Sequence, residues 1–156
     1  MKRTHFIVLA LFCAAFVPAF ALPGRADLQT MYIEYLQDEG YSPKVDDDGD
    51  VSFKREGRTF YIIVDEKDLE FFRIVYPNFW PIESDDERDM VALAASYANR
   101  RTKVAKAYID GDDTWIAAEI YIAEPGDFGR WVPRMMNAIQ TALDHFKARV
   151  RELEGD

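Results

Sequence analysis

Residues 40–65 read GYSPKVDDDGDVSFKREGRTFYIIVD, and the dipeptides Asp48-Gly49 and Glu56-Gly57 divide them into short segments of alternating polarity. A tight hairpin needs backbone at positive φ, which glycine adopts without strain, so both dipeptides read as turns. A two-residue turn at Glu56-Gly57 sets Phe53 opposite Phe60, Val51 opposite Ile62 and Ser52 opposite Tyr61. The apolar side chains of the two strands then share one face, which is what pins a register. The strand from Arg58 to Asp65 is apolar on both faces, with Phe60, Ile62 and Val64 on one and Tyr61 and Ile63 on the other. It is therefore expected inside a sheet rather than at its edge. Val51 to Glu56 reads as the strand before it, and Tyr41 to Asp47 as a weaker strand before both.

Upstream, Asp27 is placed to cap a helix that runs to about Glu39, with Leu28, Tyr32, Tyr35 and Leu36 on one stripe and Gly40 at its stop. Downstream, Phe71 to Tyr76 is a further strand, which Pro77 should end because proline has no donor for a ladder, leaving Asn78 to Ile82 as a loop. Ser84-Asp85-Asp86-Glu87 is a capping box that opens a second helix, whose expected buried stripe is Met90, Leu93, Ala94, Tyr97 and Ala98. Lys103 to Ile109 and Thr114 to Ala123 form a second hairpin around Asp110-Gly111-Asp112-Asp113.

By strand alternation Ala105, Ala107, Ile109, Ile116, Ala118, Ile120 and Ile122 share one face of that hairpin. Lys106, Tyr108, Trp115, Glu119 and Tyr121 share the other. The last helix is expected from about Arg130 to Leu153, with Val132, Met136, Ile139, Leu143, Phe146, Val150 and Leu153 spaced by four and three. Such a seam serves a coiled coil, but one long helix lying on a sheet needs the same stripe. The elements together describe a single α+β domain over residues 22–156. It is an antiparallel sheet with helices packed on one face, in the order helix, three or four strands, helix, two strands, helix.

The chain has 156 residues, 49% hydrophobic and 30% charged, which is the composition of one folded globular domain. Residues 1–21 read as a secretory signal: Lys2 and Arg3 precede an apolar run from Phe6 to Phe20 that ends in Ala19-Phe20-Ala21. The run is shorter than the roughly 20 residues of a membrane span and Pro18 interrupts it, so cleavage after Ala21 and a periplasmic or secreted protein are expected. Cys13 follows Phe12 within that run, so no lipid attachment is expected, and no membrane span should remain after cleavage.

With Lys2 and Arg3 removed, 17 Lys and Arg face 28 Asp and Glu, and the net charge falls from −9 to −11. Nucleic acid and anionic lipid are poor partners for such a surface. The one Cys leaves with the signal, so neither a disulfide nor a reactive thiol is expected in the remaining domain.

Known chemistries fit poorly. Neither acidic turn follows an EF-hand: with Gly49 at the sixth position Lys44 falls at the first and Arg55 at the twelfth, and with Gly111 there Lys106 falls at the first. The one histidine beyond the signal, His145, stands between Thr141 and Arg149 at helical spacing, and none of Ser42, Ser52, Ser84 and Ser96 lies in a nucleophile elbow. No zinc set or phosphate loop is present, so no metal, cofactor or catalytic residue is assigned. Paired carboxylates of the glycosidase kind stay open, since 28 acids make some close pair inevitable.

The run from Glu39 through Asp46-Asp47-Asp48-Gly49-Asp50-Val51-Ser52-Phe53, Glu56-Gly57-Arg58-Thr59-Phe60-Tyr61-Ile62 and Asp65 to Phe72 resembles the YbjN family of bacterial sensory-transduction regulators, as does the element order. That resemblance implies a fold similar to the type III secretion chaperones, small acidic dimers that hold extended segments of partner proteins. It implies no catalytic residues, and a binding or regulatory module.

Three helices can cover one sheet face, which leaves Tyr61, Tyr108, Trp115 and Tyr121 on the other unless the segment around Phe79 and Trp80 folds over them. These four are the candidate partner surface. The expectation is an exported, non-enzymatic protein-binding module. A structural, self-associating domain, homodimeric through the same face, is the main alternative, and a hydrolase with paired carboxylates a further one.

Overall fold

In the computed structural model, which describes residues 22–155, Glu56 and Gly57 stand at φ 52° and 78° and close a two-residue turn. The turn joins β2 (Val51–Arg55) to β3 (Arg58–Ile62), with Phe53 opposite Phe60, Val51 opposite Ile62 and Ser52 opposite Tyr61, the register expected from the sequence. Before them β1 (Lys44–Val45) is a two-residue strand against Val51 and Ser52. Beyond them come β4 (Phe71–Pro81), β5 (Ala105–Asp110) and β6 (Asp113–Tyr121). The six strands form one antiparallel sheet in the order β1-β2-β3-β4-β6-β5. The segment read as a signal lies outside the described residues.

The first helix, α1 (Arg25–Asp38), begins three residues earlier than expected. Gly24 is its cap, and Asp27 acts from the third helical position by accepting the Gly24 N–H at 2.9 Å. Its end is the expected glycine stop: Gly40 sits at φ 86°, Tyr41 N–H reaches the Leu36 carbonyl at 2.8 Å and Gly40 N–H the Gln37 carbonyl at 2.9 Å.

Pro77 does not end β4. The ladder to β6 breaks between Tyr76 and Trp80, where proline needs no donor and Asn78 takes φ 50°, then resumes with Trp80 opposite Thr114 and Pro81 opposite Asp113. Phe79 and Trp80 therefore belong to a strand. Their rings meet Phe146 at centroid distances of 5.0 and 5.8 Å, on the helix-covered face, so this segment does not fold over the other one.

The second helix, α2 (Asp85–Asn99), is capped by Ser84, whose hydroxyl accepts the Glu87 N–H at 3.2 Å. The Glu87 carboxylate accepts from the Glu83 N–H at 2.7 Å and from the Trp80 indole at 2.9 Å, which ties the helix start to β4. The buried stripe is Val91, Ala94, Ala95 and Ala98, whereas Leu93 is exposed and Met90 and Tyr97 only half-buried. The physical reason is close packing: small alanines let α2 approach Ala105 and Ala107 of β5, and a leucine on that side would hold it away.

A 3-10 turn over Pro125–Arg130 sets Phe128 against Tyr32, Tyr35 and Phe72. The third helix, α3 (Val132–Glu154), buries Val132, Met136, Ile139, Leu143, Phe146 and Val150 as expected, and Met135 and Ala142 besides. Leu153, read as part of the stripe, is 37% exposed.

Candidate partner-binding face

Strand alternation continued across the sheet defines the face away from the helices. Tyr61 pairs with Val75, Val75 with Ala117, Ala117 with Lys106, Arg73 with Glu119 and Trp115 with Tyr108. The apolar cluster beneath the three helices takes in Ile74, Ile116 and Ala118 from the same strands but none of these residues. Among the described residues no helix packs on the outer face. Val75 and Ala117 are nonetheless only 1% exposed, roofed by the longer side chains around them.

The four aromatic residues named from the sequence do not form one patch. Tyr61 and Trp115 line a common groove, and Tyr108 stands beside Trp115 with centroids 6.4 Å apart. Tyr121 is 76% exposed and packs on Phe71 at 5.6 Å. Six residues of β6 put it about 20 Å from Trp115. A charged ladder fills the ground between them. Glu119 lies 3.3 Å from Arg73 and 3.5 Å from Lys106, and Arg73 donates to the Tyr108 hydroxyl at 2.6 Å. Burial pushes the Tyr108 hydroxyl pKa up, with Arg73 acting against it.

β3 and β4 pair at Tyr61–Val75 and Ile62–Ile74, with the Ile63 N–H reaching the Arg73 carbonyl at 3.1 Å, and the β4–β6 ladder is interrupted at Pro77 and Asn78. Beside these residues lies a hollow of about 230 Å³, lined by Tyr61, Ile63, Val75, Pro77, Asn78 and Trp115 of the sheet and by Asp46, Asp48 and Asp50 of the turn at its margin. Neither Pro77 and Asn78 nor the aspartates stood out as site residues in the sequence. Continuing the Tyr61 parity into β4 would have found Val75, but the break at Pro77 hid the rest.

The aspartates sit in a turn held from both sides. The Asp46 carboxylate accepts the N–H groups of Asp48 and Asp50 at 3.1 and 2.8 Å, and Asp50 accepts the Val64 N–H at 2.8 Å. From α1, Arg25 donates to the Asp48 carbonyl and Gln29 to the Gly49 carbonyl. Burial raises the Asp50 pKa, the Val64 N–H opposes that, Asp46 and Asp48 add to the rise and Arg25 works against it. Among the described residues no group of three or more His, Cys, Asp and Glu is placed to hold a metal. No helix among them is long and apolar enough to cross a membrane.

The sheet edges differ. At β5 the Asn99 side chain accepts the Ala107 N–H at 2.7 Å and donates to the Ala107 carbonyl at 2.9 Å, occupying the backbone groups that a further strand would use. His145 packs edge-on to Tyr97, and the Ser52 hydroxyl donates to the Lys44 carbonyl, so both have structural contacts.

A model of the YbjN family, described as "Putative bacterial sensory transduction regulator", matches residues 32–123, from α1 to the end of the second hairpin. The chain is similar to a solved structure described as "Crystal structure of YbjN, a putative transcription regulator from E. coli", with a TM-score of 0.57 and 13% identity over 86% of this chain and 97% of that one. At that identity the likeness concerns the fold. A comparison with curated protein sequences finds no match.

Proposed function

The chain belongs to the YbjN family, and from that premise we propose that it is an exported, non-enzymatic regulatory module that binds a protein partner through the outer face of its sheet. The carrying observation is that Tyr61, Tyr108 and Trp115 stand on a face that no described element covers, outside the apolar cluster that holds the fold together. Half-buried aromatic side chains on a pre-formed sheet contribute large contact area at little entropic cost, which is why they dominate partner surfaces. Export is supported by the apolar run ending at Ala19-Phe20-Ala21. A non-enzymatic role is supported by the structural use of His145, Ser52 and Ser84.

Capture of the tagged full-length protein from the envelope of its source cells, beside the Trp115→Ala variant, tests this. The expected result is a stoichiometric protein partner retained by the parent and lost by a variant that still folds. A partner retained equally by both, or a parent that yields only itself, overturns the proposal.

A further inference from the structure

We infer that the groove between Tyr61 and Trp115 seats a basic side chain, an arginine carried on an apolar segment of the partner. This rests on the reading of the outer face as a partner surface and adds the chemistry that face selects. Size gives the first argument. At about 230 Å³ the groove is smaller than the roughly 300–1,000 Å³ of pockets that enclose cofactor-sized molecules, and it is open along the sheet. It suits one long side chain of a segment lying across the strands.

Chemistry gives the second. The sheet residues lining the groove are largely aromatic and aliphatic, and rings such as those of Tyr61 and Trp115 are favourable partners for a planar guanidinium and its apolar stem. Asp46, Asp48 and Asp50 stand at its margin, and among the described residues lining the groove none is basic. Of the nearby cations, Arg73 and Lys106 face Glu119, while Arg25 stands at the aspartate turn itself, donating to the Asp48 carbonyl and reaching Glu66. Three aspartates against the single Arg25 leave this margin net acidic, so it attracts a cation and repels an acid.

Charge also decides against a second copy as the occupant. The chain carries −9, so a second copy would bring a net acidic surface to an acidic groove margin. A basic partner meets the opposite field.

The test uses the full chain and a capped Ser-Leu-Arg-Leu-Ser peptide, with versions carrying glutamate or neutral citrulline in place of arginine. Binding is followed by NMR at the Trp115 indole and the Val75 methyl groups. The arginine peptide should shift both signals saturably, and its affinity should fall as salt rises from about 50 to about 500 mM. Asp48→Asn, which leaves the turn-holding carboxylates of Asp46 and Asp50 in place, should weaken binding roughly two- to five-fold. Trp115→Ala should weaken it roughly ten-fold or more. Citrulline binding equal to arginine, shifts confined to other residues, or no shift at millimolar peptide overturns the assignment. So does a dimer that Trp115→Ala dissolves, since a second copy would then hold the face. If the partner captured from cells depends on Trp115 but the arginine peptide shifts nothing, the outer face stands and the groove's selectivity falls.

Discussion

Ile116 and Trp115 are neighbours on β6 whose side chains answer to different demands. Ile116 is fully buried beneath the helices, while Trp115 lies over the outer face beside Tyr108. That division was legible in the sequence, because alternation alone assigns the two residues to opposite faces once the hairpin turn is recognised. Asn99 was not legible: its importance lies in reaching across from α2 to both backbone groups of Ala107, a contact that no spacing rule reveals. Asn99→Ala would leave an N–H and a carbonyl of the buried Ala107 unpaired, at a cost of about 1–3 kcal/mol. It would also open the β5 edge to another strand. Urea unfolding and light scattering check both effects, and an unchanged midpoint would mean that water replaces the amide without loss.

Among the elements, the β2–β3 hairpin was read correctly from its glycine turn because turn geometry and hydrophobic parity agree there. In β4 the same kinds of signal conflict. Pro77 argued for an end, yet the strand needs only to skip the ladder bonds around it, and Trp80 and Phe79 continue the sheet because they bury against Phe146. In α2 hydrophobicity points to Leu93 for burial, whereas close approach to β5 selects the smaller Ala94, Ala95 and Ala98. The link from β4 to α2 runs through Glu87, whose pKa is lowered by the Glu83 N–H first and the Trp80 indole second. A carboxylate with a folded-state pKa below its ordinary 4.5 stabilises the fold above that pH, and the contribution is lost as pH falls through the folded-state value. Glu87→Gln keeps one acceptor for two donors, so it should unfold earlier at neutral pH and converge with the parent well below pH 4.5. A pH series of urea midpoints measures this, and a gap that persists at acid pH would show that the ionised carboxylate is not the cause.

At the scale of the whole molecule, three helices bury one face of a six-stranded sheet, and among the described residues no helix packs on the other, which has an acidic turn at its margin. Export belongs to this scale too: protein recovered from source cells should begin at Leu22 by intact mass, and a mass that includes residues 1–21 would contradict it. The central claim is that the uncovered face serves association while the covered face holds the fold. Denaturant unfolding of the isolated chain with Trp115→Ala or Leu143→Ala tests it most directly. Leu143 is 1% exposed in the helix-covered core, and its truncation should cost about 2–5 kcal/mol. Trp115 is half-buried outside that core, and its loss should cost about 1 kcal/mol. If Trp115→Ala instead unfolds the monomer as severely as Leu143→Ala, the outer face is part of the core and the separation of binding from stability is wrong.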